Sequence, residues 1–130
     1  LYTSLGALKT GMDILLKKEH IKLDKMLGHG GLFKTKGVGQ RILAGAIDTP
    51  VYVMETAGEG GAWGIALLAD YMVNKADGES LTDYLDNKVF HDAVGSGMDP
   101  VPEDVDGYEK FMENYRKGLA IERAAVDVQI

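Results

Sequence analysis

The segment Gly28-His29-Gly30-Gly31-Leu32-Phe33-Lys34-Thr35 has the residue types and spacing best suited to ligand chemistry in this chain of 130 residues. It lies between a short apolar run and a helical pattern, where main-chain N–H groups and the helix dipole together hold an anion. Phe33 stands where a Walker A loop, G-x-x-x-x-G-K-[ST], and a dinucleotide turn, G-x-G-x-x-G, both need glycine, so neither standard phosphate loop is present. What remains is a Gly-Gly turn whose missing side chains let a planar or phosphorylated ligand approach the backbone. A plainer alternative stays open beside it, in which Gly30 and Gly31 serve only a tight strand-to-helix turn. A second glycine-rich stretch, Gly58 to Ala66, opens an apolar helix with small residues, a pattern that suits sliding of one helix on another or plain packing against a sheet. Glu59 is placed to cap its start.

Other chemistries find little support. His20, His29 and His91 are scattered and no pair has ligand spacing, so no metal ligand is assigned. Asp99, Glu103, Asp104 and Asp106 lack the residue order of a calcium loop and read as a solvated loop. Ser4, Ser80 and Ser96 have no nucleophile-elbow sequence around them, and no catalytic residue is assigned. The absence of cysteine excludes disulfides, thiolate metal sites and thiol catalysis, and fits a reducing cytoplasm.

Lys plus Arg number 14 against 20 Asp plus Glu, a net charge of −6 that argues against nucleic acid or anionic membranes as partners. With 45% apolar and 26% charged residues the chain has the composition of one folded domain, residues 1–130. No run is long enough to span a bilayer, and the first residues lack the pattern of a signal peptide. The abrupt opening, Leu1-Tyr2-Thr3-Ser4, leads us to expect an excised piece of a longer chain. The 17 glycines, close to twice the usual share, mark where the information lies.

These residues must be positioned by a small set of elements. Leu1, Leu5, Leu8, Met12 and Leu15 give residues 2–19 the pattern of an amphipathic helix, in which Gly6 and Gly11 each cost roughly 1 kcal/mol relative to Ala. That cost is best tolerated where another part of the chain packs close. Lys22 to Gly28 reads as a short strand, Thr35 to Ile47 as a second helix stopped by Asp48-Thr49-Pro50, and Val51-Tyr52-Val53-Met54 as a buried parallel strand. Gly60 to Met72 carries one charge, Asp70, and such a helix is expected to be covered on more than one side. Residues 76–107 read as a peripheral insertion, with a short helix from Ser80 to Lys88 and a loop from Gly95 to Gly107. A helical tail over 108–125 places Tyr108, Phe111, Met112 and Tyr115 on one stripe. The order is α-β-α-β-α plus a tail, with two parallel strands.

Four blocks in register resemble the C-terminal domain of the FGGY carbohydrate kinases. They are Gly30-Gly31-Leu32-Phe33-Lys34-Thr35, Gln40 to Ala44, Pro50-Val51-Tyr52-Val53 and Glu59 to Ala69, and the match runs from about Lys22 to Tyr71. The resemblance implies an α/β fold of the ribonuclease H-like, actin-like ATPase class, with its sheet incomplete in this chain. It implies that Gly30-Gly31 and the following Leu32, Phe33, Lys34 and Thr35 form the adenosine motif, that Glu59 to Ala69 is a hinge helix, and that Leu1 to Lys18 precedes the adenosine strand.

The resemblance further implies ATP and Mg²⁺ as cofactors and a pentulose such as xylulose as substrate. The catalytic Asp and the sugar pocket would sit in an N-terminal domain of the same protein, so no catalysis is expected from these residues alone. A sheet missing its first strands also leads us to expect self-association. The rival reading is a stand-alone actin-like assembly or regulatory module without turnover.

Overall fold

A computed structural model describes residues 1–128. Helix α1 (Tyr2–Asp13) runs on through a π-helical turn, Ile14–Lys18, and leads to strand β1 (Met26–Gly28). A 3₁₀ turn, Gly31–Phe33, connects β1 to helix α2 (Val38–Ile47), which returns to strand β2 (Val51–Met54). Helix α3 (Gly60–Asn74), the short helix α4 (Leu81–Tyr84), strand β3 (Gly95–Met98) and helix α5 (Pro102–Asp127) complete the chain. The sheet has three strands in the order β1-β2-β3, with β1 parallel to β2 and β3 antiparallel to it.

Four expectations change, the first being the strand foreseen from Lys22, which is confined to Met26–Gly28. The loop foreseen from Gly95 to Gly107 contains β3, whose register sets Tyr52 opposite Gly97; a side chain on Gly97 would meet the Tyr52 ring at 2.6 Å. The two-stranded α-β-α-β-α order therefore gains a third, antiparallel strand. The last helix begins at Pro102, not Tyr108, because proline suits the first helical turn and Glu103 and Asp104 favour its positive end. It also runs on to Asp127, beyond the tail foreseen to residue 125. The second helix starts at Val38 instead of Thr35, because Gly37 adopts a left-handed conformation (φ 78°) that breaks the helix there.

The core is the space between the sheet and the α1–α5 pair, and α2 fills it. Leu43, Ala44, Ala46 and Ile47 of α2 meet Leu5 and Met12 of α1, Val51 of β2, and Tyr108 and Met112 of α5, all buried. The stripe foreseen on α1 divides: Leu5 and Met12 face inward, while Leu1, Leu8 and Leu15 are exposed. Tyr108 donates a hydrogen bond to the Tyr2 carbonyl at 2.8 Å, and its ring packs with those of Tyr2 and Phe111. Gly6 earns its place in α1, since a Cβ there would sit 2.6 Å from the Tyr115 ring of α5.

Lys9 is the charged residue at the centre of this junction, 4% exposed. Its ammonium lies 2.9 Å from Asp13 and 2.8 Å from Glu109, and Lys17 and Arg116 reach the same two carboxylates from the surface. Burial works to raise the pKa of Asp13 and of Glu109, but hydrogen bonds from Lys9 and Lys17 outweigh it and hold both below the ordinary carboxylate range.

Helix α3 overturns another expectation. None of its residues is buried, and Ile65 (69% exposed), Leu68, Met72 and Val73 form a bare apolar ridge. Its other side is held by α4 and the residues before it: Tyr84 of α4 donates to Asp70, and Tyr71 of α3 donates to the Glu79 carbonyl. The Asp70 carboxylate accepting that bond pushes the Tyr84 hydroxyl up to about 12.

Three outcomes follow for stability. Lys9→Ala is expected to cost about 2–3 kcal/mol in thermal melts, and Lys17→Ala, at the rim, less than about 1 kcal/mol. Because Asp13 and Glu109 bind protons less tightly folded than unfolded, their contribution is complete above about pH 5 and drains away as pH falls through their lowered values, so Glu109→Gln should flatten the acid side of the stability profile. Nothing lies within 4 Å of a Cβ built on Gly64, so Gly64→Ala should raise stability by roughly 0.5–1 kcal/mol through helix propensity, where a packed position would lose it.

Candidate functional site

The glycine turn and the end of β2 stand together because β1 and β2 are parallel neighbours, which puts Gly28 beside Val53 and sends both chains off the same edge of the sheet. Ligands of open α/β sheets bind at this carboxyl edge. Gly30 has φ 99°, a backbone conformation that side chains disfavour, and its N–H donates to the Ala57 carbonyl at 2.7 Å. That bond ties the turn to the start of α3. Gly31 follows with open space where a side chain would stand, exposing its main chain to a ligand.

The other foreseen site residues divide. Leu32 and Phe33 pack against the core, and the Phe33 ring occupies the space a side chain on Gly28 would need. Lys34 projects outward and pairs with Glu59 at 2.5 Å, so Glu59 caps α3 with no side-chain bond and instead bridges the two glycine-rich segments. Thr35 is exposed, and its carbonyl accepts from Val38 N–H at 3.3 Å. Of the six, Phe33 and Lys34 line the neighbouring cavity.

That cavity, about 340 Å³, is walled by Phe33, Lys34 and Lys36 on one side, Met54 and Glu55 at the end of β2, and Val94 to Ser96 at the start of β3. A second cavity of about 210 Å³ adjoins it, sharing Met54, Glu55 and Val94 and reaching the Trp63 and Phe90 rings, which meet edge to face at 5.5 Å. Gln40 forms part of the first cavity's floor. It is buried, and its amide nitrogen donates to the Val51 carbonyl at 3.2 Å and the Ser96 carbonyl at 2.7 Å. One side chain of α2 thus holds both strands behind the site.

Sequence reasoning quoted Gln40 within a motif without giving it this task, and passed over Glu55 and Val94 altogether. A single acid after a strand carries no signal until the cavity around it is seen. Asp104, read as part of a solvated acidic loop, instead binds Arg41 of α2 through both guanidinium and carboxylate, at 2.5 and 3.2 Å. Among the described residues, no group of three or more His, Asp or Glu side chains is arranged to hold a metal ion, and no helix is long and apolar enough to cross a membrane.

The family model that matches is that of the FGGY family of carbohydrate kinases, C-terminal domain, over residues 1–73, more than half of the chain. Neither a curated protein nor a solved structure matches. The matched residues end within α3, so β3 and α5 lie outside them although they close the sheet and the core.

Gln40→Leu removes the donor from two carbonyls and is expected to cost about 1–3 kcal/mol. Hydrogen exchange should show the loss concentrated at β3, with α1 and the Tyr2–Tyr108 contact unchanged.

Proposed function

The chain belongs to the FGGY family of carbohydrate kinases, and from that premise we propose that it is the nucleotide-binding part of an ATP-dependent pentulose kinase. The observation that carries the reading is the strand–glycine turn–helix unit, with an open main chain at Gly31 and a cavity at the carboxyl edge of two parallel strands. Residues Gly30 to Thr35 would lie along the adenosine, and the ammonium of Lys36 at the cavity matches the charge of a phosphate, that of Lys34 being held by Glu59. When bound, ATP supplies the γ-phosphoryl group that passes to a sugar hydroxyl. Mg²⁺ belongs to this reading as the nucleotide's counter-ion; the described residues of this chain do not make a resident site for it.

Phosphoryl transfer depends on positioning and on a group that accepts the hydroxyl proton. This chain contributes the positioning on the nucleotide side. The proton acceptor and the sugar pocket fall to an N-terminal domain, and the fold class is the actin-like one that the family carries. The bare ridge of α3 suits contact with that domain, or self-association where the chain stands alone, in keeping with a location in the cytoplasm.

Gly31→Val tests the reading, because its Cβ meets nothing in the fold yet would stand where the ligand must approach. Calorimetry with a non-hydrolysable ATP analogue is expected to show affinity falling by about ten-fold or more, ~1.4 kcal/mol, with the melting curve unchanged. Unaltered affinity sinks the assignment. The purified chain is also expected to transfer no phosphate to xylulose or ribulose, and transfer to either would overturn the placement of the proton acceptor outside it.

A further inference from the structure

Lys34 lines the first cavity, yet its ammonium is bound to a residue outside it. Glu59, which precedes α3, holds that ammonium at 2.5 Å, and both side chains are exposed. The stem of Lys34 lies across Gly58, its Cγ 3.3 Å from where a Cβ would stand there, so the side chain runs along the segment that leads into α3. Two further contacts join the same segments: Gly30 N–H donates to the Ala57 carbonyl, and the His29 ring rests against Gly60. Of these contacts, the ion pair is the one that a charged ligand can compete for.

The charged groups lining the cavity are Lys34, Lys36 and Glu55. Lys36 and Glu55 are exposed and make no ion pair among the described residues. While Glu59 neutralises Lys34, the other two cancel, and the cavity offers an anion no net attraction. Once Lys34 is released, two ammonium groups stand against one carboxylate and the balance is positive. Glu59 therefore decides whether an anionic group is favoured there, although it does not line the cavity. The exchange costs little. An exposed ion pair adds little to stability, and a phosphate carries more charge and more acceptor oxygens than the carboxylate it displaces. That carboxylate is not stranded either, because it stays at the start of α3, where the helix dipole favours negative charge.

We propose that the Lys34–Glu59 pair is an autoinhibitory latch: Glu59 withholds Lys34 from the first cavity, and a phosphate-bearing ligand gains that ammonium by loosening the start of α3. The assignment rests on the nucleotide reading above and adds to it the regulation of that site. Affinity and the attachment of α3 are coupled in both directions, since whatever draws α3 away frees Lys34, and whatever takes Lys34 loosens α3. Helix α3 is built to respond, having no buried residue of its own.

Inorganic triphosphate is the probe, titrated by calorimetry into the native chain, Glu59→Gln, Lys34→Met and the double variant, with hydrogen exchange followed in α3. Glu59→Gln is expected to raise triphosphate affinity about three- to five-fold, the reach of one exposed ion pair, and Lys34→Met to lower it by about as much. In the Lys34→Met background, Glu59→Gln should then change affinity by less than about 1.5-fold. Triphosphate should speed exchange in the first turns of the native α3 by about two-fold, where ordinary binding slows it. It should have no such effect in Glu59→Gln, whose α3 exchanges fast without ligand. Methionine keeps the stem on Gly58 and glutamine keeps the length of Glu59, so melting curves are expected to match. A gain from Glu59→Gln that persists without Lys34 reports general charge removal and overturns the latch. Unchanged affinity in Glu59→Gln overturns it as well, as does triphosphate that binds neither form. Slower or unaltered exchange in α3 on binding overturns the coupling to α3. In each of these cases, a non-hydrolysable ATP analogue that binds the native chain leaves the nucleotide reading standing. No heat with triphosphate or the ATP analogue, in the native chain or in Glu59→Gln, overturns the latch and the nucleotide reading together.

Discussion

Helix α2 is buried on both faces at once, and the rest of the molecule is arranged to make that possible. Seven of its ten residues are buried, from Gly39 and Gln40 to Ile47. A helix in that position needs a sheet on one side and other helices on the opposite side, and each must be fixed without leaving buried polar groups unpaired. Gln40 meets the requirement toward the sheet by donating to β2 and β3 together. Toward α5 the fit is made by packing, with Tyr108 and Met112 against the α2 core and Gly45 close to Asp104, while the exposed Arg41 pairs with Asp104 at the rim. Gln40 therefore sets the strand edge beside the candidate site, and the small and apolar residues of α2 seat the helix that closes the core.

The same arrangement explains what was legible in the sequence. Elements with a local signal were readable: the helix ending at Asp48-Thr49-Pro50, the strand Val51 to Met54, and the stripe of Tyr108 and Met112, although the strand, expected to be buried, buries only Val51 and leaves Tyr52 exposed. β3 was not, because Gly95-Ser96-Gly97-Met98 has no strand pattern of its own. It pairs because Tyr52 needs a glycine opposite and because Gln40 offers its carbonyl a donor. The start of α5 was hidden by Pro102 and its acids, which look like a loop until they are seen to favour a helix N-terminus. The bare face of α3 could not be foreseen from composition, since an all-round apolar helix normally signals enclosure. At the candidate site, the glycine turn between strand and helix was readable because it is local, whereas Glu55, Val94 and Phe90 come together only through β3 and the segment before it.

The division between matched and unmatched residues does not coincide with a division in the structure. Residues 1–73 carry the family's pattern, but on their own they would lose Tyr108 and Met112 from the core and Val94 to Ser96 from the cavity wall. Lys9 and Lys17 would likewise lose Glu109, and Asp13 would lose Arg116. A buried ammonium with half its counter-charge removed is costly, so the second half of the chain is as much a condition of the fold as the first.

Helix α3 is fastened only at its ends. Near its start, Gly30 N–H bonds Ala57 and Lys34 holds Glu59; toward its far end, Tyr84 grips Asp70. The stretch between has no buried residue. Cooperative units of a fold open with free energies set by how much they bury, so α3 can unwind and re-form without α2 giving way. The molecule is consequently a rigid three-layer block with a softer rod attached along one edge. A push delivered to the middle of that rod is transmitted to the glycine turn at its start, through the Ala57 carbonyl, the Glu59 carboxylate and the His29 ring lying against Gly60.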